Sequence, residues 1–198
     1  MKRCALIAVH HKDDRILDFC TRLIGCGWDV VATPGTSAFL RRGGLECRSI
    51  EQLIGVSRLG DKVVTLAREV HEALLCDESD TAQSDDDGHL IFSLAAVEMF
   101  PLESLMLAPE LSPEQLLHSV DVGGAALIRS AVKGNRIILA DLDDCESVVN
   151  WVEGSCPDRD IVCTRLQVKA EMTVAQSCFA SALYRRALNI NSSALNRV

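Results

Sequence analysis

The chain has 198 residues, 48% hydrophobic and 24% charged, enough for one well-formed core and too few for two ordinary domains. A formal net charge of −8 argues against protein-wide attraction to nucleic acid or to an anionic membrane, although a small basic pocket could still hold a phosphate. The partners expected are small molecules or other protein chains.

The chain opens with a candidate strand, Cys4–Val9. Its short apolar run is below the roughly 7–15 residues of a signal-peptide core, and no later run approaches the roughly 18 of a membrane span. A cytoplasmic protein is expected. Asp14 to Ile24 sets Ile16, Leu17, Cys20, Leu23 and Ile24 on one helical face, and Gly25 and Gly27 stop it. Trp28–Thr33 reads as the second strand. Pro34-Gly35-Thr36 then opens a helix whose free N–H groups and dipole favour an anion, and Gly43-Gly44 closes it. Leu45–Ile50 is a weaker strand.

A helix is expected from about Asp61 to Leu75, with Val63, Leu66, Val70 and Leu74 on its apolar side. The acidic stretch Cys76–Gly88 lacks the glycine-punctuated spacing of a calcium loop and reads as a solvated connector. His89–Val97 suits a central strand buried on both faces. Ser112-Pro113-Glu114 starts a helix, Asp121-Val122-Gly123-Gly124 interrupts the chain, and Ala125–Val132 resumes as helix. Arg136–Asp141 is another strand, Asp144–Val152 a short helix, and Val162–Asn189 one or two helices.

Strands alternating with helices define an α/β fold with a doubly wound, mostly parallel sheet between helical layers, in one domain with C-terminal helices. The nine cysteines are odd in number, scattered and never spaced C-x-x-C, which supports neither a disulfide framework nor a metal site. Most should act as small hydrophobes.

In such a sheet the ligand site lies beyond the carboxyl ends of the strands. Lys12 after strand one, with the hydroxyls and N–H groups of Thr33-Pro34-Gly35-Thr36, makes a plausible phosphate cradle, though the same four residues also fit a plain capped turn. Gly123-Gly124 fits either a tight turn or a ligand contact.

The order and spacing of these pieces resemble the IMP cyclohydrolase domain of the bifunctional purine-biosynthesis enzyme PurH, whose fold is shared with methylglyoxal synthase. The similar segments are Ala5–Val9, Ala32–Thr36, Thr65-Leu66, Val70-His71, Phe100-Pro101 and Ser119–Gly124, continuing through Leu127–Lys133. The family closes the last purine ring, converting 5-formamidoimidazole-4-carboxamide ribonucleotide (FAICAR) to IMP and water without metal or organic cofactor. The resemblance therefore implies a ribonucleotide substrate and a homodimer. It places Lys12, Thr33, Gly35 and Thr36 at phosphate-binding positions. Asp121 and Lys133 fall at paired acid/base positions, and Lys62, Thr65, Glu98, Phe100, Gly123 and Gly124 at further substrate-binding ones. The bland reading of the acid/base pair is a structural Asp–Lys contact.

Departures from the family pattern matter as much. Its Arg-Val-Lys-Thr-Leu-His-Pro loop aligns with Lys62–Arg68, so a catalytic lysine has become Val64, and its Asn-Leu-Tyr-Pro turn reads Glu98-Met99-Phe100-Pro101. Losing one oxyanion donor typically costs about 3–4 kcal/mol. Lys62, His10 or His11 could compensate, and a solvated histidine pair is the alternative. Two functions stay open: a cyclohydrolase acting without the transformylase domain, and a degenerate nucleotide-binding module or partner subunit.

Overall fold

The computed structural model describes residues 3–54, 64–76, 90–102 and 112–195, the last seven of these by backbone alone. Five parallel strands form one sheet in the order β3-β2-β1-β4-β5, where β1 is Cys4–Ala8, β2 Asp29–Ala32, β3 Arg48–Ser49, β4 Phe92–Val97 and β5 Ile137–Leu139. β1 is central, pairing with β2 (Leu6 opposite Val31) and with β4 (Leu6 opposite Ala95). Its side chains alternate between two cores. Ala5, Ile7 and Val9 join Phe19, Leu23 and Val149 on one face, while Cys4 and Leu6 join Val31, Leu74, Phe92 and Ile128 on the other.

Helices cover both faces, as an all-parallel sheet requires. α1 (Asp14–Gly25) begins where the Asp13 carboxylate accepts the N–H groups of Arg15 and Ile16, and its Ile16–Phe19–Cys20–Leu23 stripe is buried. Beside it lies α7 (Cys145–Glu153), with Arg22 bound to Glu153 and Asn150 across the gap. On the other face α4 (Arg68–Leu75) packs on α6 (Gly123–Lys133). α2 (Pro34–Arg42) and α3 (Glu51–Ile54) flank β2 and β3, and α5 (Pro113–His118) precedes α6. α8, Arg159–Leu195, is one unbroken helix crossing β5 and α6. Among the described residues no helix is long and apolar enough to cross a membrane.

The α/β class and the parallel doubly wound sheet follow the sequence reading, with four local corrections. The weak third strand shrinks from Leu45–Ile50 to two residues, because Arg41 spends two N–H groups on the Cys47 carbonyl just before it. The 61–75 helix is broken: Val64–Leu66 is a tight helical turn, Ala67 is extended, and α4 begins at Arg68. Leu66, expected in the core, is therefore 40% exposed. Asp121-Val122-Gly123-Gly124 does not interrupt α6 but starts it, since the helix includes both glycines. The C-terminal segment is longer than the predicted Val162–Asn189. Lys62, the acidic connector 77–88 and His89 lie outside the described residues.

Candidate functional site

At the carboxyl ends of β1, β2 and β4 the loops enclose a cleft of about 810 Å³. Its walls include His10, Thr33, Thr65, Leu66, Glu98, Phe100 and the 118–124 segment. Parallel register places them together: Thr33 N–H reaches the Ile7 carbonyl, and Glu98 N–H the Ala8 carbonyl, so three loops leave the sheet at one level.

Thr33 lines the cleft, and beside it lie the other candidate cradle residues, Lys12 and the start of α2. Lys12 Nζ donates to the carbonyls of Val9 (3.4 Å) and His10 (3.1 Å), which aim the ammonium over the start of α2. A Cβ on Gly35 would sit 3.6 Å from Lys12 Cε, so the bare glycine leaves the ammonium open access to the helix N-terminus. The Thr33 hydroxyl donates to Thr36 Oγ1 (3.0 Å), which donates to the Val9 carbonyl (3.3 Å). Thr36 is completely buried, so its hydroxyl is an internal strut and it presents no accessible group to an anion in this conformation. With its hydroxyl turned aside, Thr33 does not cap α2, whose first-turn N–H groups have no intrahelical acceptor and no acidic neighbour. Lysine, N–H groups and dipole all favour an anion there.

A second part of the cleft is organised by Asp121. Its Oδ1 accepts the Gly124 N–H (2.8 Å) and its Oδ2 the Phe100 N–H (3.3 Å), joining the start of α6 to the turn after β4. The glycine pair serves close approach, neither lying at positive φ: a Cβ on Gly124 would strike Asp121 Oδ2, and one on Gly123 would strike Thr65 Oγ1. Thr65 is itself placed by His71, whose Nε2 lies 3.1 Å from the Thr65 carbonyl and whose Nδ1 lies 2.8 Å from Ser130 Oγ on α6.

Glu98 also lines the cleft. Its carboxylate accepts the His11 N–H (2.6 Å) through one oxygen and faces His11 Nδ1 (2.6 Å) through the other. His10 is wedged beside this couple, its ring edge-on to Phe100 at 4.5 Å and 5.0 Å from His11. Partial burial, reinforced by His11, holds the His10 pKa below its ordinary value, against the opposing pull of Glu98.

One expectation is corrected. Asp121 and Lys133 do not form a couple within the chain: Asp121 holds the start of α6 and Lys133 is its last residue, ten steps beyond Gly123, so at 1.5 Å per residue it stands roughly 15 Å along the helix from that start, and it is exposed. Val64, aligned with a catalytic lysine, is 3% exposed and belongs to the core. His118 and Ser119, at the end of α5, line the cleft without any signal in their local sequence, and His71 entered the sequence reading only as part of a similar segment. A second cavity of about 800 Å³ lies at the amino ends of the strands, but its Arg41 is already committed to the Cys47 carbonyl. Among the described residues no His, Cys, Asp and Glu cluster could hold a metal ion.

A cleft with an acidic corner at the carboxyl edge of a five-stranded parallel sheet defines a doubly wound α/β protein with its candidate ligand site at the strand ends. No protein-family model matches the chain. Among curated proteins it is 30% identical to PurH of Chlorobium phaeovibrioides over 146 residues, 72% of this chain and 28% of that protein. It is likewise 30% identical to PurH of Streptococcus pyogenes serotype M3 over 156 residues, 74% of this chain and 29% of the relative. The chain thus spans under a third of the length of these relatives. The crystal structure of ForH superposes with a TM-score of 0.75 at 30% identity, covering 93% of this chain and 98% of ForH. The chain belongs to the PurH-like family.

Proposed function

We propose that this protein is an IMP cyclohydrolase-type enzyme, closing the ring of FAICAR or a closely related formamido-carboxamide ribonucleotide with loss of water. The observation that carries the reading is that the Asp121 corner and Thr33 line the same cleft, while Lys12 lies against Gly35 in the helix that Thr33 precedes, so that a 5′-phosphate bound at the start of α2 would leave the heterocycle directed toward Asp121. Both Asp121 oxygens are held by backbone N–H groups, and their remaining lone pairs can accept from a carboxamide and fix the attacking nitrogen near the formyl carbon. Thr65, shouldered into place by Gly123 and His71, stands at the same end.

Catalysis is carried by Asp121 and the cleft residues around it, and Lys133 has no part in the chemistry of its own chain's cleft. Incubating purified protein with FAICAR and following IMP by absorbance tests the reading; no turnover above the uncatalysed rate refutes it. The second reading, a nucleotide-binding module, is favoured by the core position of Val64 and the bare ring of Phe100, which leave two donor positions without a donor. Tight IMP binding without turnover would decide for it.

The same reading takes the protein as a cytoplasmic homodimer. Ile161, Val168, Met172, Phe179 and Leu183 are each 47–72% exposed, and their spacing sets all five within roughly 60° of one another on α8. The opposite face of α8 buries Cys163, Leu166 and Ala170 against the sheet. An antiparallel pair of such helices would cover the stripe on both copies and set the Asp158–Asp160 end beside Arg185 and Arg186 of the other.

A further inference from the structure

The reaction needs a group that takes a proton from the attacking nitrogen and returns one to the departing oxygen. The two positions that the family resemblance assigns to such donors are here a core valine, Val64, and a phenylalanine of the cleft wall, Phe100. Three described histidines stand near the cleft besides His10, and each is otherwise placed. His71 has both ring nitrogens engaged, with Ser130 Oγ and the Thr65 carbonyl. His11 is clasped twice by Glu98. His118 lines the cleft from the end of α5 but is exposed and makes no ring contact with Phe100 among the described residues.

His10 and His118 both line the cleft with rings that make no hydrogen bond among the described residues, but of the two only His10 packs its ring on Phe100. It is also connected to the acidic corner through a single residue: its ring packs on the Phe100 ring, while the Phe100 N–H is held by Asp121. Behind it, the Glu98–His11 couple fastens the loop that carries it.

We propose that His10 is the proton-transfer residue of this cleft, with Glu98 and His11 as positioning residues that fasten its loop; the inference rests on the cyclohydrolase reading above. The neutral imidazole accepts the proton that the carboxamide nitrogen loses as its C–N bond to the formyl carbon forms, and the imidazolium passes it to the former carbonyl oxygen, which becomes a hydroxyl. The imidazole, neutral again, takes the hydrogen of the former formamide nitrogen and gives it to that hydroxyl, which leaves as water as the ring C=N bond forms. No external oxidant or co-reactant is consumed. Besides Phe100, the groups facing His10 are His11, Glu98, Lys12 and Asp121. The depressed His10 pKa keeps the ring neutral at pH 7, as the first transfer requires.

Two measurements test this on the intact chain. His10→Gln keeps polarity and approximate size but cannot shuttle protons, and it should lower kcat on FAICAR by about a hundredfold or more at nearly unchanged KM. The acid limb of the kcat–pH profile should vanish with it. Glu98→Gln, which leaves His10 in place but loosens its loop, should move that limb rather than remove it. A His10→Gln enzyme with the wild-type rate and profile overturns the proposal. Independently, histidine-ring NMR with IMP as the probe should shift the His10 titration and leave that of His71 in place. An unmoved His10 resonance in the presence of bound IMP overturns its placement at the heterocycle. If IMP shifts His10 but wild-type protein does not turn FAICAR over, the enzyme reading and the proton-transfer role fail together, whereas turnover with an unaffected His10→Gln variant sinks the role of His10 alone.

Discussion

Adding one methyl group at Gly124 tests whether the acidic corner is built as described. A Cβ there meets all three terminal atoms of Asp121, striking Oδ2 and lying 3.1 Å from Cγ and 3.3 Å from Oδ1. The carboxylate must swing away, and both N–H bonds it accepts, from Gly124 at 2.8 Å and Phe100 at 3.3 Å, are strained or lost. Alanine in a helix is otherwise favourable over glycine by about 0.5–1 kcal/mol. Two hydrogen bonds to a charged acceptor are together worth about 3 kcal/mol at the low end of their range. Gly124→Ala should therefore lose about 2 kcal/mol net, lowering Tm by about 4–8 °C for a chain of this size. If Asp121 positions the reacting amide, a displacement of about 1 Å should reduce kcat/KM on FAICAR about a hundredfold, more than any stability loss explains while the protein stays folded. Differential scanning calorimetry and initial-rate assays at 25 °C measure the two effects. A variant that gains stability by the full propensity term and keeps its rate would refute the geometry and the role of Asp121 together.

Further expectations rest on separate parts of the molecule. Met172→Glu with Phe179→Glu puts two charges into the exposed stripe of α8 and should yield a monomer by light scattering while circular dichroism stays unchanged; a dimer that survives would place the interface elsewhere. Asp141 is held below the ordinary aspartate pKa first by its hydrogen bond from Lys169 (2.8 Å) and then by the Asp143 N–H. Because that folded-state pKa is depressed, the stabilisation is present above the ordinary aspartate value of about 3.9 and is lost as pH falls through the lower folded value. Lys169→Met should thus be less stable than wild type to urea at pH 7, and the gap should close toward pH 3. Burial pushes the Cys4 thiol up to about 11 and the Cys145 thiol up to about 12, whereas Cys26 and Cys178 are exposed. Iodoacetamide at pH 8 should label Cys26 and Cys178 in the folded protein, and peptide mapping that finds Cys4 or Cys145 modified would contradict the packing.

What the sequence revealed and what it hid divide along the range of the interactions. Cys4–Val9 and the 14–24 stripe were legible because burial on both faces and period-3.6 packing leave direct marks in composition. The proximity of Lys12 to the Thr33–Thr36 segment was legible because it needs only one strand–helix junction and a loop one strand away. That the Thr36 hydroxyl faces inward was not, since its acceptor is the Val9 carbonyl, 27 residues back. Gly123-Gly124 looked like a break because the reason for two glycines, the Asp121 and Thr65 side chains, becomes visible only when the 64–66 turn lies against α6. The Asp121–Lys133 couple followed from family positions, but twelve positions of separation along a continuous helix put the two at opposite ends of α6. Glu98 was noted as a departure from the family pattern; that it grips His11, 87 residues away, could be learned only from the parallel register of β1 and β4.

The central claim is that one cleft holds a nucleotide by both ends, and a structure of the protein crystallised with IMP tests it most directly. The account predicts the 5′-phosphate within hydrogen-bonding distance of Lys12 Nζ and the N–H groups that open α2, with the base lying between Asp121 and the His10–Phe100 wall. A nucleotide seated in the cavity at the amino ends of the strands, or with its phosphate away from Lys12, would contradict it.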